Sequence, residues 1–325
     1  MAKKKKPRKI PEVLVFTDIN NYPDSLASLV VLSWLADKNL INIRGIITEL
    51  GVYEIRRRRA LYAKGAMVHL GHPYLRVVPG GDYDILNEQK ENNYPENEIS
   101  RIFENIGTAI LRSGTTFVQE YIKSAPEKNV YILLNAPFSD FAKYIKATGS
   151  ALTKKIKKII VMGDAQTTKD ENSNYLPDYE CYNFKIGAPA ADILFQYTQE
   201  NNLRLVLVPA KSVKDINMNY EFLAGLEKSK NPVAQQLLNS QNDNPLSMHY
   251  DMLSALALGD SEFKKSGGLF EQEENSEKNV FFAKVADAAL LREKFCQIFQ
   301  EKLMPKKITL DQLTRNKTKE EATNE

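Results

Sequence analysis

Short apolar, β-branched runs alternate along the chain with longer segments in which apolar residues recur at helical spacing. The runs predict strands over residues 13–17, 43–48, 75–78, 130–134, 158–162 and 203–208. The longer segments predict helices over residues 24–37, 53–70, 99–124, 139–149 and 188–201. Strands this continuously apolar are buried on both faces. The fold class expected is therefore α/β, an open, mostly parallel mixed sheet with helices on both faces. Further helical patterning begins near Tyr220 and again at Pro232, and residues 279–285 read as a late strand at a sheet edge. The polar, Asn- and Glu-rich run 82–98 reads as a long surface loop. Residues 167–178 read as another, following a strand end where active-site lids often sit. With no internal repeat and no clean linker, the pattern predicts one domain over residues 12–305. It is flanked by a basic tail, 1–11, and a polar tail, 306–325, both expected to be disordered.

Composition narrows the function classes. The chain has 325 residues, 43% hydrophobic and 26% charged, enough apolar material for a substantial core. No apolar run is long enough to span a membrane, and the Lys-rich start lacks the apolar stretch of a secretory signal. Two cysteines, Cys181 and Cys296, argue against a disulfide framework and suit a reducing compartment, so the cytoplasm is expected. Three histidines are too few for a His-based metal site. The net charge of +3 conceals a basic run of Lys3, Lys4, Lys5, Lys6, Arg8 and Lys9. That run either solubilises the tail, contacts nucleic acid or another anionic surface, or acts as a nuclear address. Arg56, Arg57, Arg58 and Arg59 form a second run. Four successive positions circle a helix, so they pair with acids or meet phosphate separately and do not form one flat patch.

The chemistry-bearing residues gather at strand ends. The first strand closes on Thr17 and Asp18. Asn20, Asn21 and Pro23 then turn the chain, and Asp24 and Ser25 open the next helix. Ligands in open α/β sheets bind just beyond the carboxyl ends of the strands. Two acids there can hold a hard cation or do acid–base work, or simply stabilise a turn and cap a helix. The fourth strand ends at Asn135, where Pro137 blocks its continuation and Ser139 can cap the following helix. After Met162, Gly163 permits a close backbone approach. Glu180, Cys181, Tyr182 and Asn183 precede a helix, and His249, Tyr250 and Asp251 open another. Trp34 on the apolar first helix reads as core, and His69 and His72 read as turn residues.

In order and spacing, these features resemble the inosine-uridine preferring nucleoside hydrolase family, from about Val13 to Val285. Thr17 to Ser25 resembles the opening aspartate-rich loop of a variant subfamily, T-D-x-G-G-D-P-D-D. Ile46 to Val52 is similar to I-T-T-V-x-G-N, and Leu75 to Gly80 to V-P-V-x-x-G. Leu134 to Asp140 is similar to x-G-P-L-T-N, and Val161 to Asp164 to the M-G-G segment. Glu180 to Ala191, Val206 to Pro209 and Tyr250 to Met252 are similar to its E-x-N, V-P-L-D and H-D-P segments.

The resemblance implies a Ca²⁺ site that orients a water and a ribose diol for hydrolysis of an N-ribosyl bond in a nucleoside or related compound. It implies metal contacts from Asp18, Asp24, the Asn135 carbonyl and Asp251. Substrate contacts would come from Asp24, Asn183, Glu180 and Met162. Asp18 would act as base, with Tyr250 and His249 beside the leaving group. Members of the family form dimers or tetramers, so a homo-oligomer is implied as well. The chain departs from the pattern at several places. Phe16 and Ser25 stand where carboxylates are expected, and Val52 where an asparagine is expected. Cys181 stands at a ribose-binding glutamate with Glu180 adjacent, and Tyr250 at a histidine with His249 adjacent. Fewer carboxylates weaken a calcium site. The alternative reading is thus a catalytically impaired homologue that serves as a ligand-binding or interaction module.

Overall fold

The computed structural model of the chain describes residues 9–20, 23–81, 103, 113–214, 216, 223, 225–243, 250–259, 270–275 and 279–304. The basic run up to Arg8, His249 and residues 82–98 lie outside them.

Each of the six sequence-predicted strands is present: β1 (Glu12–Thr17), β2 (Asn42–Thr48), β3 (Val77–Pro79), β4 (Val130–Asn135), β5 (Ile156–Met162) and β8 (Arg204–Val208). Among the described residues they join β9 (Phe270–Asn275) and β10 (Val280–Val285) in one eight-stranded sheet of order β3-β2-β1-β4-β5-β8-β10-β9. The first seven strands in that order run parallel, and β9 is antiparallel to β10. The 279–285 strand is therefore not an edge. The edge is β9, whose sequence is polar at every position but Phe270 and so carries no apolar alternation to betray it. Residues 167–178 also differ from expectation. Instead of a plain loop, β6 (Ala165–Lys169) and β7 (Tyr175–Pro177) pair as a separate antiparallel hairpin.

The helices are α1 (Pro23–Asp37), α2 (Tyr53–His69), α3 (Gly114–Ser124), α4 (Ser139–Thr148), α5 (Tyr182–Ile186), α6 (Ala188–Glu200), α7 (Ala210–Lys214), α8 (Pro232–Asp243), α9 (Tyr250–Ala257) and α10 (Ala288–Leu303). Of the helix expected over 99–124, the described part is α3. Side chains of β1 alternate between two cores. Val13 and Val15 face α1, α2, α8, α9 and α10, whereas Leu14 and Phe16 face α3, α4 and α6. Helix α1 is apolar almost all round, which suits an element enclosed by α2, α8, α9 and α10 as well as the sheet. No described helix is long and apolar enough to cross a membrane.

The chain runs outward from β1 to β2 and β3, then returns to the other side of β1 as β4. The topological switch point thus lies between β1 and β4, where a crevice opens beyond their carboxyl ends. Thr17 and Asn135, the last residues of these strands, are in register. Asp18 follows the first of them.

Candidate functional site

A buried ionic network braces the strand ends. The Glu49 N–H donates to the Thr17 carbonyl (2.9 Å) and the Gly80 N–H to the Thr48 carbonyl (2.8 Å). After β2 the chain turns through two successive positive-φ residues, Leu50 and Gly51, at 69° and 87°. The Arg56 guanidinium holds this turn. Its Nε donates to the Gly51 carbonyl at 2.8 Å, and its Nη1 to the Gly81 carbonyl and Asp140 Oδ2, each at 3.1 Å. Glu49 Oε2 lies 3.9 Å from the same Nη1, and both Glu49 and Arg56 are 0% exposed. Ser139 does not cap α4 as its sequence position suggests. The cap position belongs to Phe138, in the left-handed region at φ 40° and ψ 34°, and its side chain makes no cap bond. The Glu49 carboxylate does that work from the turn after β2, accepting from Ser139 Oγ (3.3 Å) and the Asp140 N–H (3.2 Å). A negative charge at this helix start is favoured by the helix dipole.

Three carboxyl groups meet at the switch point. Asp18 leaves β1, Asp24 lies in the first turn of α1 with Oδ1 accepting from the Ser25 N–H (2.7 Å), and Asp251 lies in the first turn of α9. Asp18 and Asp24 keep some exposed surface, but their carboxyl groups are enclosed by protein. Burial raises the pKa of all three above the usual carboxylate range. Repulsion adds to burial at Asp24, which is pushed up to about 7 with Asp18 as its charged neighbour. Asp251 is raised well above its ordinary value by burial, then by Asp24 and Asp18, against the Ser25 hydrogen bond. At Asp18 the Arg59 guanidinium opposes the effect of burial.

Helix α9 is fixed against β4 by Asn135. Its side-chain amide donates to the Asp251 carbonyl (3.2 Å) and Ser28 Oγ (3.3 Å), and its Oδ1 accepts from Ser254 Oγ (2.6 Å). The Asn135 side chain is thus a structural junction, and only its carbonyl bears on the metal contact expected there. Ser25 Oγ donates to Asp251 Oδ2 at 2.7 Å, joining the start of α1 to that of α9. Tyr250 is partly buried beside Asp251 and packs against the α1-side core.

The β5 end supplies a second group. The Asn183 side chain, buried in α5, donates to the Met162 carbonyl at 3.5 Å, the far limit of a hydrogen bond. Gly163 permits this packing, since a Cβ there would sit 2.3 Å from the Phe184 ring. Strands β1, β4 and β5 are consecutive neighbours, so this pair stands about 10 Å across the sheet from the acids. Glu180 is exposed and donates its N–H to Asp178 Oδ1 (3.0 Å), and no described contact joins it to the three acids. Burial and the charges of Asp178, Asp164 and Glu180 push the Cys181 thiol up to about 11, which makes it a poor nucleophile.

The basic run on α2 separates as its spacing requires. Arg57 pairs with Glu54 on the outer face, while Arg56 and Arg59, three residues apart, turn inward and are buried. Arg59 reaches the acid loop, donating through Nη1 to the Asp18 carbonyl and, at 3.0 Å, to the Ile19 carbonyl, a role the run's sequence does not announce. The i,i+3 spacing within a helix predicted to pack on the sheet was the available signal. Glu49 and Asp140 carried no signal of their own.

Carboxylates and a carbonyl suit a hard cation by type. Their arrangement does not. Ser25 offers Asp251 a hydroxyl where a further carboxylate is expected, and a buried guanidinium stands beside Asp18. Among the described residues, no three His, Cys, Asp or Glu side chains are placed to hold a metal ion. The cluster as it stands does not fit a resident calcium ion.

No protein-family model and no curated relative matches the sequence. Solved structures do match. The type III effector protein XopQ, complexed with adenosine diphosphate ribose, superposes with a TM-score of 0.80 at 18% identity, over 92% of this chain and 96% of that one. The chain has the nucleoside-hydrolase fold. A purine-preferring ribonucleoside hydrolase from Gardnerella vaginalis gives 0.61 at 16% identity, covering 88% of this chain and 98% of that one. An inosine-uridine preferring nucleoside hydrolase from Bacillus anthracis gives 0.64 at 14% identity, covering 90% and 98%. Matches to purine-preferring and inosine-uridine preferring enzymes are of similar strength, so the likeness is to the fold and not to one branch.

Proposed function

We propose that the chain recognises a nucleoside or related ribosyl compound at the carboxyl ends of β1, β4 and β5. The observation that carries this reading is that Ser25 links Asp24 and Asp251 at the switch point, donating its N–H to one and its hydroxyl to the other, with Asp18 near enough to act on both by charge. A ribose diol is a pair of groups that both donate and accept. A carboxyl pushed up to about 7, as Asp24 is, can do the same, and so can the neighbouring Ser25 hydroxyl. Asn183, held beside Met162, provides a further polar contact on the β5 side. The likeness to XopQ in its complex with adenosine diphosphate ribose, and to nucleoside hydrolases, supports a ribosyl ligand.

A second reading, hydrolysis of the N-ribosyl bond, is favoured by one observation. Asp24 is pushed up to about 7, where a carboxyl both takes and gives a proton at neutral pH. In that reading water attacks the anomeric carbon as the bond to the base breaks. Asp18 or Asp24 takes the water proton, and Tyr250 or His249 supplies one to the departing base. The charge on the acids stabilises the cationic sugar.

The test is calorimetric titration with inosine, uridine and adenosine diphosphate ribose, with and without added calcium, followed by an assay for released ribose. Binding without ribose release supports the recognition reading alone. Release above that of Asp18→Asn establishes hydrolysis, and no binding of any of the three contradicts both.

A further inference from the structure

Arg59 is an unusual residue to find at this position. It is 1% exposed, and it is delivered from the middle of α2 to the turn that carries Asp18. Its Nη1 donates to the carbonyls of Asp18 and Ile19, and its charge attracts the Asp18 carboxylate. Buried charges are retained only where opposite charge or strong hydrogen bonds compensate them. Of the three acids, Asp18 is the one that this charge reaches. On the opposite side of the cluster, Ser25 Oγ occupies Asp251 Oδ2, so one potential ligand oxygen already has a donor.

We propose that Arg59 is a resident cation at the Asp18 end of the acid cluster, standing where it opposes a divalent metal ion and keeping the site's affinity for calcium low. Guanidinium is always charged and presents several fixed donors, so it can compensate carboxylates without itself being exchanged. Two consequences follow for a divalent ion. It meets a fixed like charge in a buried setting where repulsion is poorly screened, and it finds Asp251 Oδ2 already holding the Ser25 hydroxyl. Arg59 acts here as a positioning residue, because it holds the Asp18–Ile19 turn and sets the charge. The inference concerns the cation alone and stands or falls apart from the identity of the organic ligand.

The test is calcium titration of the full chain by calorimetry, comparing wild type with Arg59→Gln and Arg59→Lys. Gln removes the charge, and Lys keeps it while changing the hydrogen bonds. The expected result is no micromolar calcium binding by wild type or Arg59→Lys, with affinity at least about tenfold higher in Arg59→Gln. A purely structural role would not separate the two variants by charge. Unchanged calcium affinity in a folded Arg59→Gln overturns the proposal. Micromolar calcium binding by wild type overturns it without any variant, so the proposal stays testable even if Arg59→Gln does not fold. Titrating inosine, uridine and adenosine diphosphate ribose in the same samples reports separately on the ribosyl reading.

Discussion

Ser25 Oγ donates to Asp251 Oδ2 at 2.7 Å, closing the start of α1 onto the start of α9 across 226 residues of sequence. The bond sits where the resemblance to nucleoside hydrolases expects two carboxylates. A hydroxyl there converts a repulsive pair into an attractive one. Replacing Ser25 with Ala strips a donor from a buried carboxyl and is expected to cost about 1–3 kcal/mol in a urea denaturation. Replacing it with Asp restores repulsion and should destabilise the ligand-free chain further.

The acid cluster makes stability depend on pH. A carboxyl whose pKa is higher folded than unfolded holds extra protons in the native state between the two values, so stability falls as pH rises through that window. For Asp24 the window runs from the ordinary 3.8 to about 7. The ligand-free chain should melt at a lower temperature at about pH 7.5 than at about pH 5, and Asp24→Asn should shrink the difference. A melting temperature that rises over this interval would show that the carboxyls ionise without strain.

Arg56 ties the ends of β2, β3 and α4 together through Gly51, Gly81 and Asp140. Arg56→Leu removes the buried guanidinium that faces Asp140 and Glu49, which is expected to cost about 3–5 kcal/mol, readable by chemical denaturation. Arg57→Leu breaks a surface ion pair with Glu54 and should change stability by less than about 1 kcal/mol.

Much of this fold could be read from the sequence because parallel strands are buried on both faces and announce themselves as apolar runs. Val13 to Phe16 and Ile159 to Val161 are such runs. Strands β9 and β6 were hidden for the opposite reason: they are polar and carry no apolar run, while β7 is only three residues long, too short to show a period even though its Tyr175 is buried in the core. At the site, Asp18, Asp24 and Asp251 were legible from their places at element ends. The roles of Arg59, Glu49 and Asp140 were not, because a buried charge is defined by partners far away in sequence. Phe138 as the first capping position, with Glu49 supplying the cap, likewise depends on a contact between the turn after β2 and the start of α4.

Gly163→Ala tests the link between β5 and Asn183. The new Cβ would lie 2.3–2.8 Å from the Phe184 ring, which must move, and Asn183 is its neighbour. Overpacking of this kind costs about 1–3 kcal/mol. Weaker binding of ribosyl compounds should accompany the lost stability. A thermal melt and a titration of the same sample check both, and unchanged affinity would remove Asn183 from the ligand contacts.

The central claim is that the three acids at the switch point receive a ribosyl compound. The most direct measurement is calorimetric titration of wild type and Asp24→Ala with the three ribosyl compounds named above. Saturable binding by wild type to at least one of them, weakened at least about tenfold in a folded Asp24→Ala, is the predicted result. No binding by wild type, or equal binding by the variant, would contradict it.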